Sequence, residues 1–177
     1  DENENNAIAH WKLGETFARL DRTEEAIEAY QKAIKLDPEN PEIYNSLGRS
    51  YISLRKYNEA IEVLNKAVEI NPNDTFSHFS LADIYQLKRE IEKALTEYQE
   101  LLVINPNDIE ARFEIANIYQ KKGENEKALQ QYQKLVTKKP KDLNEQYFIA
   151  QAYKNLGETK KALQEYKKII TINPNHL

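Results

Sequence analysis

The chain has 177 residues, of which 31% are charged and 40% hydrophobic, and its formal net charge is −4. It contains no cysteine, which excludes disulfides, thiolate metal sites and thiol catalysis. No stretch approaches the roughly 18 consecutive apolar residues of a membrane-spanning helix, so the composition predicts a soluble protein without membrane insertion.

The first six residues, 1–6, are acidic and rich in asparagine, which predicts a disordered tail. They do not resemble a secretory signal, so the default expectation for localisation is the cytoplasm, although the sequence does not fix the compartment. The chain neither begins with methionine nor contains one, which indicates a trimmed or processed product. Whether it is a fragment of a larger protein stays open.

From residue 7 onward the chain consists of five copies of one unit of 34 residues, without insertion or deletion. The five repeats are residues 7–40, 41–74, 75–108, 109–142 and 143–176. We number positions 1–34 within each repeat. Position 20 is Ala26, Ala60, Ala94, Ala128 and Ala162, and position 32 is Pro38, Pro72, Pro106, Pro140 and Pro174. A fixed period in this range is the signature of a solenoid, in which each repeat contacts only its neighbours.

Each repeat contains two apolar stripes at helical spacing, separated by a polar turn. The first helices are predicted at 7–20, 41–54, 75–88, 109–122 and 143–156, and the second helices at 24–36, 58–70, 92–104, 126–138 and 160–172. Predicted N-caps are Asn40, Asp74, Asp108 and Asp142 for first helices, and Thr23, Asn125 and Thr159 for second helices. Gly123 and Gly157 follow first helices, where a left-handed residue is needed.

The pattern resembles that of the tetratricopeptide repeat family over residues 7–176. Repeat two carries the family's residues as Tyr44, Leu47, Gly48, Tyr51, Ala60, Leu64, Ala67 and Pro72. Position 4 departs from the aromatic residue of the family in the other repeats, as His10, His78, Arg112 and Gln146. The resemblance implies a single all-α domain: a right-handed α-solenoid superhelix of five helix-turn-helix units, ten helices in all, here without a C-terminal capping helix.

Small residues at position 8 are expected where the two helices of a repeat approach most closely. On this reading Gly14 faces Ala33 and Gly48 faces Ala67. Alanine replaces glycine in the last three repeats, and position 27 there is a larger Leu101, Leu135 or Ile169. The larger side chains predict a wider separation of the helices in those repeats.

No constellation of residues suggests catalysis. The three histidines, His10, His78 and His176, are too far apart in the repeats for one metal site, and the four glycines form no phosphate-binding loop. Aromatic and basic residues do not interleave on one face, and the chain is acidic overall, which argues against nucleic-acid binding. We therefore expect no enzyme activity, no cofactor and no bound metal.

With catalysis, metal binding and nucleic-acid binding not expected, the remaining hypothesis is a surface that binds a partner protein. The resemblance implies that the first helices line a concave groove, with positions 2, 5, 6, 9, 12 and 13 facing it. Aromatic side chains recur there and can anchor a partner, while carboxamides can hold its main chain. The candidate groove residues are Trp11, Asn45, Phe76, Phe79, Phe113, Asn117, Lys121, Asn144, Tyr147, Gln151 and Lys154. The alternative is that the aromatics of position 5 only stiffen the inner face.

The expected function is a non-enzymatic scaffold that binds a peptide or helix of a partner protein in the groove. One alternative is the substrate-recruiting region of a larger enzyme, such as a glycosyltransferase. The family's clamp for the C-terminal carboxylate of chaperones requires lysine at position 5 of one repeat, which no repeat here has, so such a clamp is not expected.

A second alternative is a structural protein that assembles through its ends. Leu156, Leu163 and Ile170 are expected to be partly bare on the last repeat. Residues 1–108 carry a net charge of −9 and residues 109–177 one of +5. Random variation of charged residues on a solvent-exposed face explains this charge gradient. The gradient would, however, also favour end-to-end association of chains.

Overall fold

The computed structural model describes the backbone of residues 2–172 and the side chains of residues 6–172. This part of the chain contains ten helices and no strand. The first helices of the repeats are α1 (Glu2–Arg19), α3 (Pro41–Ser53), α5 (Thr75–Leu87), α7 (Ile109–Lys121) and α9 (Leu143–Asn155). The second helices are α2 (Thr23–Leu36), α4 (Tyr57–Ile70), α6 (Ile91–Ile104), α8 (Asn125–Val136) and α10 (Thr159–Ile172). The predicted all-α class and helix order are confirmed.

The start of the chain differs from the prediction. Helix α1 begins at Glu2, five residues before the predicted start, so residues 2–6 are helical where a disordered tail was expected. The expected absence of a capping helix after α10 concerns residues 173–177, which lie outside the described residues.

The chain divides into two compact units, Asp1–Glu90 and Ile91–Leu177. Within each unit the two helices of a repeat pack against each other, and the second helix packs against the first helix of the next repeat. The core of the first unit includes Ala26, Tyr30 and Ile43, and that of the second includes Phe113, Tyr132 and Ile149. The sequence predicted a single domain over residues 7–176, and the two units are described separately below.

Side-chain caps begin four of the first helices, as predicted. Asn40, Asp74, Asp108 and Asp142 accept hydrogen bonds from the backbone amides of Glu42, Phe76, Ala111 and Glu145, respectively. The predicted caps of second helices are wrong, because Thr23, Asn125 and Thr159 are each the first residue of their helix. The N-cap residues Arg22 and Glu124 make no side-chain cap bond, and backbone hydrogen bonds organise this turn instead.

The turn inside each repeat is built from the same two backbone hydrogen bonds in all five repeats. The amide of position 16 donates to the carbonyl of position 11 at 2.8–2.9 Å, and the amide of position 15 donates to position 12 at 2.9–3.2 Å. This pair is a Schellman motif, which needs a left-handed residue at position 15. That residue has φ between 57° and 76° and is Asp21, Arg55, Arg89, Gly123 or Gly157. The prediction for the two glycines is confirmed.

The turn between repeats is held by the side chain at position 4. In three repeats a donor there lies within hydrogen-bond distance of the carbonyl of the preceding position-32 proline. The pairs are Tyr44 Oη with Pro38 at 3.0 Å, His78 Nε2 with Pro72 at 3.0 Å, and Arg112 Nη2 with Pro106 at 2.6 Å. Two departures from the family's aromatic residue, His78 and Arg112, therefore preserve the hydrogen bond that Tyr44 makes.

Repeat five lacks this bond. Gln146 donates to Glu165 Oε2 at 3.1 Å instead, and the preceding helix α8 ends early, at Val136. In repeats two and three an asparagine at position 31 accepts a hydrogen bond from the amide two residues later, forming an Asx turn. Lys139 occupies this position before repeat five and offers no acceptor, which accounts for the different turn.

The side chains that pack against the glycines of position 8 are not those that the sequence suggested. A Cβ placed on Gly14 would lie 2.5 Å from Cε1 of Tyr30, and one on Gly48 would lie 2.7 Å from Cδ2 of Leu64. The expected partners, Ala33 and Ala67, are buried but are not the nearest atoms. The longer side chains of position 24 reach across the helix pair and occupy this space.

The left-handed turn position provides a test of backbone strain. Arg55→Gly should raise the free energy of unfolding by about 0.5–1 kcal/mol, because glycine adopts positive φ without a steric penalty. Gly123→Ala is the opposite change at the same position and should lower it by about 1 kcal/mol, since a Cβ there would touch nothing within 4 Å and only φ matters. Chemical denaturation followed by circular dichroism measures both. A less stable Arg55→Gly protein would contradict this account.

The hydrogen bond of position 4 can be removed without changing the shape of the side chain. Tyr44→Phe should lower the free energy of unfolding by about 1 kcal/mol, because the carbonyl of Pro38 loses its donor in a partly buried site. Tyr57→Phe is the control, since the Tyr57 hydroxyl makes no hydrogen bond within the described part of the chain. Equal denaturation midpoints for the two variants would show that the bond contributes nothing.

Candidate functional site

The aromatic candidate Trp11 lies at the junction of α1 and α3. Its Nε1 donates to Ser46 Oγ at 3.0 Å, and its half-buried ring packs against the core of the first unit. The ammonium group of Lys12 lies over the same ring, 4.3 Å from its centroid. The remaining face of Trp11 is accessible, so the residue both joins two repeats and borders an open surface.

Asn45 is held in a polar network inside the first unit. Its Nδ2 donates to Asp74 Oδ2 at 2.6 Å, and its Oδ1 lies 2.6 Å from Ser77 Oγ. Asp74 is also the cap of α5, so the network ties α3 to the start of α5. The carboxamide of Asn45 is thus engaged by its own chain rather than presented to a partner.

Phe76 and Phe79 lie on α5, and both are half-buried. The guanidinium of Arg49 stacks over the ring of Phe76, 4.7 Å from its centroid. This contact places the positive charge of Arg49, a residue of α3, next to α5. It leaves the edge of the Phe76 ring as apolar surface beside the charge.

Phe113 is one of the aromatic residues expected to face the groove, but it lies in the core. It is only 9% exposed and belongs to the main cluster of the second unit. Its ring centroid lies 5.9 Å from that of Tyr132 and 5.1 Å from that of Phe148. The large neighbouring rings cover it, so Phe113 contributes to packing.

Tyrosine hydroxyls engage two of the predicted carboxamides in the second unit. Tyr132 Oη lies 2.7 Å from Asn117 Oδ1 and 3.1 Å from Gln120 Oε1, and burial raises the pKa of this tyrosine. Gln151 donates to the hydroxyl of Tyr147 at 2.6 Å. Tyr132 is buried, whereas Tyr147 and the amides of Asn117 and Gln151 are half-buried and keep unfilled hydrogen-bond capacity.

The other three candidates, Lys121, Asn144 and Lys154, are exposed. Lys121 and Lys154 lie in the last turns of α7 and α9, where positive charge interacts favourably with the helix dipole. They form no ion pair within residues 6–172. Their charges are therefore available at the surface.

The structure also shows a cavity that the sequence did not single out. It has a volume of about 410 Å³ and lies between α1, the start of α2, and α3, entirely within the first unit. Its lining consists of Glu15, Ala18, Arg19, Asp21, Thr23, Tyr30, Ser46, Arg49, Ser50 and Ser53. The ring of Tyr30 forms its floor, and Trp11 borders it through the bond to Ser46.

Some charged groups of this cavity already have an ion-pair partner within the chain, and others do not. Glu15 is paired with Lys12 at 2.9 Å, whereas Arg19 and Arg49 form no ion pair among the described residues. Burial raises the pKa of Tyr30, and the charge of Glu15 raises it further, while Arg49 opposes both. The two guanidinium groups are therefore the free donors of the cavity.

The serines along α3 supply acceptors. The hydroxyls of Ser46, Ser50 and Ser53 donate to carbonyls of their own helix at 2.9, 3.2 and 2.8 Å. A hydroxyl whose proton is used in this way still has lone pairs to accept a hydrogen bond. The cavity can thus accept hydrogen bonds on one wall and donate them from two arginines.

A second cavity occupies the equivalent place in repeat four, with a volume of about 340 Å³. Its floor, Tyr132, has the same position 24 as Tyr30 in repeat one. It is lined by Gln120, Asn125, Glu126, Ala128, Leu129, Tyr132 and Asn155. Amide groups here take the place of the arginines of the first cavity.

Arg19 and Arg49 could have been found from the sequence. They stand at positions 13 and 9, which the resemblance places on the groove face, but they do not recur from repeat to repeat. The repeat pattern therefore does not distinguish them from other surface residues. Recurrence marks residues that the fold needs, whereas a specific partner is bound by residues that differ between repeats.

Other chemistry finds no support in the described residues. Residues 6–172 contain no group of three or more histidine, aspartate or glutamate side chains that could hold a metal ion. No helix among those described is long and apolar enough to cross a membrane.

Family models match most of the sequence. A model described as tetratricopeptide repeat matches residues 41–74, 109–142 and 146–176, and a second with the same description matches residues 63–96. A model described as TPR repeat matches residues 20–54 and 88–123. No curated protein matches the sequence significantly.

Solved structures share the fold. MamA protein is 26% identical, with 94% of this chain and 91% of that chain covered and a TM-score of 0.71. YrrB, described as a TPR protein with an unusual peptide-binding site, is 26% identical, with 99% and 90% covered and a TM-score of 0.67. The first TPR of Spaghetti (RPAP3), bound to the HSP90 peptide SRMEEVD, is 26% identical, with 68% and 95% covered and a TM-score of 0.63.

Truncating Phe113 tests its assignment to the core. Phe113→Ala should lower the free energy of unfolding by about 3 kcal/mol, as expected for a phenylalanine that leaves a cavity among packed rings. Asn144→Ala, at an exposed candidate position in the same unit, should change it by less than about 0.5 kcal/mol. Thermal and urea denaturation measure both values. A Phe113→Ala protein as stable as the unmodified chain would indicate that the Phe113 ring belongs to the binding surface and not to the core.

Proposed function

The chain belongs to the tetratricopeptide repeat family, and from this premise we propose that it is a non-enzymatic interaction scaffold that binds a peptide or helix of a partner protein on the groove face of its first helices. The cavity between α1 and α3 is the centre of the proposed site. The observation that carries the proposal is that Arg19 and Arg49 line this open cavity without an ion-pair partner in the described chain.

A peptide suits the hydrogen-bonding groups of this cavity. The guanidinium groups of Arg19 and Arg49 can donate to main-chain carbonyls or to a carboxylate of the partner. The exposed hydroxyl of Ser53, whose own proton is donated within its chain, can accept a hydrogen bond from a main-chain amide. Trp11 and Phe76 flank these groups with apolar surface, which is the arrangement that favours a buried anchor residue.

The remaining candidates extend the proposed surface within each unit. In the first unit Phe79 supplies further apolar area on α5. In the second unit Tyr147, Gln151 and Asn144 on α9 offer an aromatic ring with carboxamides, and Lys121 and Lys154 add positive charge. Asn45, Asn117 and Phe113 act indirectly, by holding neighbouring side chains in place.

The similar structures support the class of ligand. The published descriptions of YrrB and of the RPAP3 complex both refer to peptide binding by those proteins. The SRMEEVD peptide of the RPAP3 complex ends in a carboxylate, but position 5 is never lysine in this chain. We therefore propose a peptide site centred on α1 and α3 rather than a chaperone carboxylate clamp.

The only tryptophan of the chain makes the proposal testable at the cavity itself. The chain of residues 1–177 serves as bait to identify a partner, and overlapping synthetic peptides of that partner are then titrated while Trp11 emission is recorded. Binding at the cavity should shift this emission. Arg19→Ala and Arg49→Ala should each weaken binding about tenfold or more, as loss of a desolvated charged donor does.

Lys35→Ala is the matched control, because it removes one positive charge from an exposed site on α2 in the same unit. It should leave the affinity within about twofold, since an exposed charge away from the interface acts only through screened long-range attraction. Equal affinities for the Arg49→Ala and Lys35→Ala proteins would contradict the proposed site. In that case Lys121→Ala and Lys154→Ala would show whether the second unit binds the peptide.

A further inference from the structure

An apolar stripe on α10 has no partner in the described part of the chain. Leu163 and Ile170, at positions 21 and 28, are 54% and 49% exposed. They lie two turns apart on one face of the helix. Leu156, the third residue expected to be bare, is half-buried instead and packs against the core of the second unit.

The first unit shows what normally covers this stripe. In α2 the same positions are Ile27 and Ile34, and Ile27 is only 9% exposed. Both pack in one cluster with Ile43 and Leu47 of α3, which are 0% and 3% exposed. In the first unit the stripe on the second helix α2 is therefore the surface onto which the next first helix, α3, docks.

The complementary surface is equally unpartnered on α1. Leu13 of α1 occupies position 7, and Leu20, the residue directly after α1, occupies position 14. In repeat two these positions are Leu47 of α3 and Leu54, the residue directly after α3. Leu13 is 44% exposed and Leu20 is 61% exposed, although Leu47 is almost fully buried. Helix α1 thus presents the face that α3 uses to cover α2, with nothing on it within residues 6–172.

We propose that these two faces bind each other between copies of the chain, with α1 of one copy docked on α10 of the next as α3 is docked on α2. The charges favour the same pairing, because residues 7–40 carry a net charge of −2 and residues 143–176 one of +2. The contact is heterologous, since the two surfaces come from different repeats. Such a contact leaves a free face at each end and adds further copies.

The association is measured by sedimentation velocity of the chain of residues 1–177 between about 10 μM and about 1 mM, a range that brackets weak specific contacts. The mean sedimentation coefficient should rise with concentration. Leu163→Glu, which blocks the α10 face, and Leu13→Glu, which blocks the α1 face, should each abolish that rise. Val103→Glu is the control, because Val103 is a 74% exposed apolar residue of α6 outside both faces, and it should change nothing.

Mixing the two blocked proteins distinguishes the proposed contact from others. The Leu13→Glu protein keeps an intact α10 face, and the Leu163→Glu protein keeps an intact α1 face. Their mixture should form a one-to-one dimer and nothing larger, although each protein alone stays monomeric.

Three results would overturn the proposal: an unmodified chain that is monomeric throughout the range, a mixture that stays monomeric, or a Leu13→Glu protein that associates like the unmodified chain. The last result would show a symmetric contact of α10 with α10. Circular dichroism verifies that the variants are folded. Should one unfold, Ile170→Lys and Leu20→Lys block the same faces at other exposed positions and carry the same predictions.

Discussion

The paired helices of the first two repeats can approach as closely as they do only because Gly14 and Gly48 carry no side chain. A single carbon added to Gly14 would lie 2.5 Å from the Tyr30 ring, well inside van der Waals contact. The first helix therefore settles against the side chain of position 24, and the alanine of position 20 is buried beside it in every repeat. The packing of the two helices in repeats one and two depends on this contact.

The candidate site depends on the same contact. Tyr30 and Tyr132 stand at position 24 and form the floors of the two cavities, so the residue that sets the helix packing also sets the depth of the binding surface. The hydroxyl of Tyr132 then orders the amides of Asn117 and Gln120. The same packing arrangement therefore determines both the fold and the candidate site. The side chains on the rim of each cavity differ between repeats.

Most of the fold could be predicted from the sequence, because helix-period stripes, prolines and capping residues act locally and recur five times. The structure differs where a contact depends on the reach of a long side chain or on its neighbours. Periodicity cannot show that Tyr30 rather than Ala33 fills the space beside Gly14, or that the rings around Phe113 bury it. It also gives no weight to Arg19 and Arg49, whose significance comes from the absence of ion-pair partners among residues 6–172.

The turn inside each repeat is closed by main-chain groups, and its side chains are incidental to its geometry. Aspartate, arginine and glycine all occupy its left-handed residue. Mutations in these loops can therefore accumulate with little effect on how the helices are arranged. A gene encoding such a chain can be lengthened or shortened by whole repeats, or recombined at these loops, while the surfaces that meet partners diversify independently of the framework.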